Sequence, residues 1–542
     1  MFLSPLRSWL SGSSRRSARR HPADRFHPRL EALEERQLLS ITEFATPTPN
    51  SFPDVITSGP DGNLWFTENS ANKIALARPD GSITEFPIQT RSAGLRGITA
   101  GPDGNLWFTE NGANQIGRIS TDGRSVMEYR IPTPNSGPQQ IIAGPDGNLW
   151  FTEFNFDQLG RLDPASGRVT EIRLPTGRPD ALTVGPDGNI WYINGGFDRI
   201  GRVTVGGQVT EFPVPTPGAG LKGITAGPDG NIWFTEASPS KIGRLNPANG
   251  SVQEFPTYTH GSSPWAITAG EDGNLWFTES ALAVNQIARI TPDGRVDEFA
   301  IPTANSNPQS ITSGPDCNLW FVENFKSKIG RYYLDLPATH FLVSTSGSSA
   351  AGATVDLTVT ALDKCDRTVF DYTGSVHFTS TDAQATSPAD YTFTAGDSGV
   401  HTFVGGATFF RAGGQTLTAT DTVSGITGGS NIAVNPAPAD HFLLNAPNAV
   451  TAGSPFDLTV TALDPYGNVD TNYRGTVTFA ISDTDPEVAL PADYTFTGDD
   501  QGIHTFTSGV TLFSLGEQTL TATDTGSGIH GSVAITVVAP AA

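Results

Sequence analysis

The stretch Ile98-Thr-Ala-Gly-Pro-Asp-Gly-Asn-Leu-Trp-Phe-Thr-Glu110 decides the fold, because the chain carries it seven times with small edits. Its GPDGN element starts at Gly59, Gly101, Gly144, Gly185, Gly227, Gly270 and Gly314, at intervals of 42, 43, 41, 42, 43 and 44 residues. A period of about 40–45 residues with four short strands per unit is a propeller-blade period. One unit reads as an inner strand at Ile98-Thr-Ala, then a Pro102-Asp-Gly turn with Pro and Gly where type I geometry favours them. Leu106–Glu110 is strand two and Gln115–Ile119 strand three. After an Asp122-Gly123 turn, Ser125–Tyr129 is the outer strand. In strand two Leu106 and Phe108 face one side and Trp107 the other, so both faces are apolar, as a sheet stacked between two neighbours requires.

The ends of the repeat carry a further signal. The last copy stops at Ile329-Gly-Arg-Tyr-Tyr-Leu334 without an outer strand, and an orphan Ile41-Thr-Glu-Phe44, matching Ile83-Thr-Glu-Phe86, precedes the first copy. Placing residues 41–44 in the last blade closes the ring and removes an exposed sheet edge.

From about residue 337 the period changes. Asp356-Leu-Thr-Val-Thr-Ala-Leu-Asp363 recurs at Asp457–Asp464, and Pro388-Ala-Asp-Tyr-Thr-Phe-Thr394 recurs 103 residues later. Two modules of about 100 residues with alternating Val/Thr/Leu strands suit immunoglobulin-like sandwiches. The chain therefore divides into residues 1–40, a propeller at 41–336, and modules at 337–436 and 437–542, and the fold class is all-β. His340 matches His441, and His401 matches His504; repeated His in alternating strands reads as structural. The turn Thr497-Gly-Asp-Asp500 reads as a solvated turn or a calcium site, without an EF-hand pattern.

The 542 residues carry a formal charge of −22. That balance argues against a nucleic-acid partner, which needs clustered Lys/Arg. No run of about 18 apolar residues exists, so no helix spans a membrane. Cys317 and Cys365 fall in different domains without metal spacing or a disulfide framework, and read as two unpaired thiols. Residues 1–40 hold eight Arg, no Lys and four acidic residues, with no apolar signal-peptide core.

That segment ends Leu30-Glu-Ala-Leu-Glu-Glu-Arg-Gln-Leu-Leu-Ser40, which resembles the N-terminal LEPR-XLL motif of large exported proteins of planctomycete-type bacteria. The resemblance implies an extracellular or cell-surface protein. The two C-terminal modules resemble bacterial surface Ig-like repeats of the invasin/adhesin type, which implies a spacer role or an adhesive contact with a cell-surface partner.

The repeat "GPDGNLWFTE…IGRI…ITEFPIPT" closely resembles the streptogramin B (virginiamycin B) lyase family over residues 41 to about 334. The resemblance implies a seven-bladed propeller. In its characterised enzymes it also implies linearisation of a cyclic depsipeptide by β-elimination with Mg²⁺. Such chemistry needs a base beside a carbonyl and a cation on the oxyanion. The loop entering strand one and the loop leaving strand two open on one face of a blade. On that face the residue after the inner-strand Pro or Leu reads Asp54, Arg96, Gln139, Asp180, Lys222, Trp265 and Gln309 around the ring. The last residue of "WFTE" reads Glu68, Glu110, Glu153, Asn194, Glu236, Glu279 and Glu323. Both sets are expected at one mouth.

Carried over position by position, the family's catalytic His residues fall on Trp265 and Gln309. The Glu before the last of them falls on Asn307, the first-blade Tyr falls on Asp54, and only the last-blade Glu remains, as Glu323. Losing a general base costs about 10²–10⁴ in rate. His260, four residues before Pro264, is the one His of the repeat region. It is either a loop residue or a replacement base. Glu323 and Glu279 are the candidate metal ligands. The positions that vary from blade to blade suit a polar ligand, a peptide or a glycan, since variable loop residues on a constant scaffold carry specificity. The leading expectation is an exported binding protein; the alternatives are an extracellular lyase and a structural surface coat.

Overall fold

The computed structural model describes residues 41–541, so the basic N-terminal segment and its motif lie outside the described residues. The described chain is all-β. Seven four-stranded antiparallel sheets follow one another, six of them with strands in simple sequence order. Blade 1 comprises Pro53–Ser58, Leu64–Glu68, Lys73–Ala77 and Ile83–Pro87. Blade 7 takes Pro308–Ser313, Leu319–Glu323 and Lys328–Tyr332 from the end of the repeat and its fourth strand, Ile41–Ala45, from the start. Ile41 pairs with Tyr332 and Ala45 with Lys328 across this seam. Phe44 stacks on Trp320, and Glu43 accepts from Lys328 Nζ at 2.7 Å.

The repeated phrase builds the blade. All seven Trp side chains of strand two are fully buried. Each indole N–H donates to the turn Asp four residues earlier, for example Trp107 to Asp103 at 2.9 Å and Trp320 to Asp316 at 3.0 Å. In blades 2 to 7 an Arg from strand three lies over the indole, as Arg161 does over Trp150 at 5.6 Å. The turn thus supplies the one polar partner that a buried indole needs. Leu106 and Phe108 on the opposite face are equally buried, which fills the gap between blades.

Each tail module is a three-stranded sheet facing a five-stranded one. In module 1 the strands Ala338–Thr345, Thr354–Asp363 and Val400–Thr408 oppose Ser348–Ala350, Thr427–Asn435, Gly413–Asp421, Ser375–Ser380 and Tyr391–Thr392. Module 2 repeats this from His441 to Val538 and carries its own buried core, including Leu458, Val460, Leu520 and Ile535. Alternate strand residues supply the core, as the Val/Thr/Leu alternation predicts.

The matched His401 and His504 make identical structural contacts. His401 Nδ1 lies 2.7 Å from Asp397 and stacks on Tyr391 at 3.8 Å; His504 does the same with Asp500 and Tyr494. Asp500 also accepts from Thr497 N–H and from Tyr494 O–H. Its carboxylate is taken up by protein donors rather than left free for calcium, while Thr497, Gly498 and Asp499 are exposed, as a solvated turn requires. His340 and His441, although matched in sequence, face different partners, Asp366 and Asp440.

The two cysteines correct the sequence reading. Cys317 and Cys365 form a disulfide, with Cα atoms 6.4 Å apart. The turn Asp363–Arg367 of module 1 docks on the turns of blades 6 and 7, where Arg367 donates to Asn318 Oδ1 and to Leu334 O, both at 2.7 Å. Lys364 pairs with Glu271. The pairing was invisible in the sequence because it depends on how two folded domains dock, not on spacing. Cys317 sits at φ +59°, in the left-handed region occupied by Gly in the six other copies.

Candidate functional site

Strand one of every blade shifts register after its first residue, as between Pro53 and Ile56 or Leu95 and Ile98. Such a bulge re-aims a side chain. Asp54, Arg96, Gln139, Asp180, Lys222, Trp265 and Gln309 all line one central cavity of about 300 Å³. The Thr of "WFTE" sets the backbone that carries them. Thr109 Oγ1 accepts from Gly97 N–H of its own blade at 2.9 Å and donates to Gln139 O of the next at 2.7 Å. Thr235 links Gly223 N–H to Trp265 O in the same way. Blades 4 and 7 carry Ile193 and Val322 at this position, so Lys222 and Asp54 lack the clamp from the preceding blade.

The ring's charges are paired. Arg96 Nη1 donates to Asp54 Oδ2 at 3.1 Å, and Lys222 Nζ to Asp180 Oδ2 at 3.3 Å. Lys222 Nζ also lies 4.7 Å from the centre of the Trp265 ring. Burial pushes both Asp carboxyls above the usual carboxylate range, and Arg96 and Lys222 offset part of that. The result is a neutral, hydrogen-bonding ring with one aromatic face and no histidine.

The six Glu residues lie elsewhere. Glu68, Glu110, Glu153, Glu236, Glu279 and Glu323 are fully buried and do not line the cavity. The segment that crosses from one blade to the next roofs them with a small buried residue, Ser51 over Glu68 and Ser306 over Glu323. Each also faces a strand-four Glu of its own blade, as Glu110 faces Glu128 and Glu323 faces Glu43. Burial first, and the neighbouring carboxylate second, push Glu110 up to about 8. Burial likewise pushes Glu323 up to about 8 and Glu68 and Glu279 up to about 7. The sequence reading missed the strand-four partners, although Glu43, Glu85, Glu128, Glu171, Glu211, Glu254 and Glu298 recur in every blade. In the blades with Lys at the start of strand three, Lys73, Lys241 and Lys328 bind that second Glu. In blade 4, Asn194 replaces the buried Glu and donates to Glu211 at 3.2 Å.

This surrounding does not fit Mg²⁺. Glu323 has no hydrogen-bond partner for either carboxyl oxygen, but its neighbours are Glu43 and the Lys328 ammonium, and a carboxyl this buried favours its proton. Glu279 accepts from Gln286 at 2.6 Å inside its own blade. Among the described residues no three His, Cys, Asp or Glu converge as a metal site. His260 is exposed on the segment crossing into blade 6 and does not line the cavity. Asn307 is buried in the segment entering blade 7, at φ +54°, and does not line the cavity either.

Residues 37–178 and 176–361 match the model of the virginiamycin B lyase family. Among solved structures, a streptogramin B lyase is 40% identical, with a TM-score of 0.52, over 54% of this chain and 97% of the other. A virginiamycin B lyase from Staphylococcus aureus is 38% identical, with a TM-score of 0.51, over 54% and 99%. A catalytically inactive His-to-Ala form of the S. aureus enzyme with quinupristin is 37% identical, with a TM-score of 0.52, over 54% and 99%. No curated protein matches significantly. The matched region spans more than half of the sequence, and the chain belongs to the virginiamycin B lyase family.

Proposed function

We propose that this chain is an exported, modular binding protein whose propeller takes a polar ligand, a peptide or a glycan, in its central mouth, and that the family's elimination chemistry is absent. The observation that carries this reading is the composition of the cavity ring, which has two paired Asp residues and no histidine. A relative becomes catalytically inactive on a single His-to-Ala change. Here the base would have to come from Asp54 or Asp180, and each is bound to a cation that would first have to be displaced.

The position of the tail supports the same reading. Module 1 is attached at Cys317 and Glu271, on the turns between strands one and two. Those turns lie at the opposite end of the six-residue strands from Gln309 and Trp265, about 16 Å away at roughly 3.3 Å per residue. The mouth therefore stays open while the sandwich modules extend from the other face, as a spacer or adhesive stalk would. The disulfide fits an oxidising, extracytoplasmic location.

The test incubates the full chain with a streptogramin B and Mg²⁺. Ring opening by elimination leaves the mass unchanged, so it is followed by chromatography and fragmentation. Turnover that is lost on changing Asp54, Asp180, Glu323 or His260 would overturn the reading. Without turnover, glycan and peptide arrays test binding, and an Arg96→Gln or Trp265→Ala variant should lose any hit. No hit combined with tight self-association would favour a structural coat.

A further inference from the structure

Module 2 docks on module 1 through the same turn that module 1 uses on the propeller. Tyr466 and Asn468 occupy the positions of Cys365 and Arg367 in the repeat. The Asn468 side chain makes a two-way bond with the end of module 1: its Nδ2 donates to Phe410 O at 2.7 Å, and its Oδ1 accepts from Ala412 N–H at 2.8 Å. Tyr466 packs on Phe410, ring centres 5.0 Å apart, and covers Gly352, where a Cβ would collide with it.

The backbone of that seat exists again at the far end of module 2, with the Phe513 ring beside Gly453 where Tyr466 covers Gly352. Phe513, Leu515 and Gly453 replace Phe410, Ala412 and Gly352. Asp483 holds the N–H groups of Phe513 and Ser514 as Asp382 holds those of Phe410 and Arg411. Gly453 keeps φ +76° against +80° at Gly352. In module 2, however, Phe513 O and Leu515 N–H have no hydrogen-bond partner among the described residues. Leu515 is 62% exposed. A repeat that caps an array presents a polar outer face; module 2 presents Phe513, Leu515 and two unpaired backbone groups in the arrangement that receives Tyr466 and Asn468 one module earlier.

We propose that the distal end of module 2 is a docking seat for the Tyr-Gly-Asn turn of a further sandwich module of this type. The Asn side chain of that turn would bridge Phe513 O and Leu515 N–H, and its Tyr would pack on the Phe513 ring as Tyr466 packs on Phe410. The turns of the two described modules are engaged, Cys365 with the propeller and Tyr466 with module 1, so the occupant is a further module whose turn is free. The contact is heterologous: a turn on one module meets a seat on the next, so it extends an array rather than closing a symmetric dimer.

The test mixes the full chain with residues 437–542 as the probe, whose Tyr466 turn is free because module 1 is missing. The probe carries Leu515→Glu to block its own seat. Sedimentation should show a one-to-one complex. Asn468→Ala or Tyr466→Ala in the probe should weaken it at least tenfold, as should Leu515→Glu in the full chain. Leu515→Ala, which copies Ala412, should preserve it. A probe with an intact cooperative melt that fails to bind at about 1 mM, or that binds equally well as Asn468→Ala, would overturn the proposal. Should the probe not fold alone, a cyclised peptide of residues 461–471 replaces it. Hydrogen-exchange protection at 513–515 of the full chain is then the readout, and its absence would equally overturn the seat.

Discussion

Cys317, in the first turn of the last blade, is bonded to Cys365 in a turn of the first sandwich module, 48 residues along the chain. One covalent link therefore ties the propeller to its tail, on the face away from the cavity. A bridge closing a loop of this length stabilises by roughly 2–4 kcal/mol through the unfolded chain. Cys365→Ser should lower the guanidinium midpoint of the propeller and module 1, and reductant should bring the unaltered protein to the same midpoint while leaving Cys365→Ser where it is. A reductant effect on the variant would point to another origin.

Cys317 also holds a left-handed backbone conformation that L residues adopt at a cost of about 1–2 kcal/mol. Both Cys317→Ser and Cys317→Gly lose the bridge, but only Gly removes that cost. Cys317→Gly should therefore melt higher than Cys317→Ser. Equal midpoints would show that the turn carries no strain.

The seam strand should be indispensable. Removing residues 1–45 deletes a complete edge of blade 7, the Phe44–Trp320 stack and the Glu43–Lys328 pair, and it unroofs a fully buried Trp. Removing residues 1–40 leaves these contacts untouched. The shorter deletion should melt like the full chain, and the longer one should lose the cooperative propeller transition. Matching melts would refute a ring closed by this strand.

The buried glutamic acids make stability depend on pH with a definite sign. Glu110 and Glu323 have folded values of about 8, well above the ordinary value near 4.5. The unfolded chain gives up these protons more readily. The stability they contribute is fully present below about pH 4.5 and is lost as pH rises through 7 to 8. The propeller should be more stable at pH 6 than at pH 9. Glu110→Gln removes one of these protons from the balance, so it should narrow the difference mainly by raising the melt at pH 9.

In the cavity ring, Arg96→Ala strands the buried Asp54 carboxylate. Leaving a buried acceptor unpaired costs on the order of 1–3 kcal/mol. Asp54→Asn in the same chain should recover most of that loss, because the amide needs no counter-charge. A double variant no better than Arg96→Ala would mean that the pair matters through packing and not through charge.

The number of blades, the strand order and the seven cavity positions could all be read from the chain. Each rests on something local. The 42-residue period counts the blades, and apolar residues on both faces of "LWF" require neighbours on both sides. The residue after the inner-strand Pro or Leu has one place in every unit. The buried Glu residues were misread because alternation in a strand says which face a side chain takes, but not what will cover it. The crossing segment that carries Ser51 or Ser306 covers that face, and it comes from the chain connecting one blade to the next. His260 and Asn307 illustrate the same limit, since each lies close to the cavity positions in sequence and neither faces the cavity.

The sequence by itself thus determined the architecture, because a blade's strands and turns are short-range and repeated seven times. Only the tertiary structure decided which polar groups meet. The Glu110–Glu128 pair arises within a blade, the Arg96–Asp54 pair between blades and the Cys317–Cys365 bond between domains. Such pairings depend on distances set by packing, to which a strand period of two and a repeat of about 42 residues are indifferent.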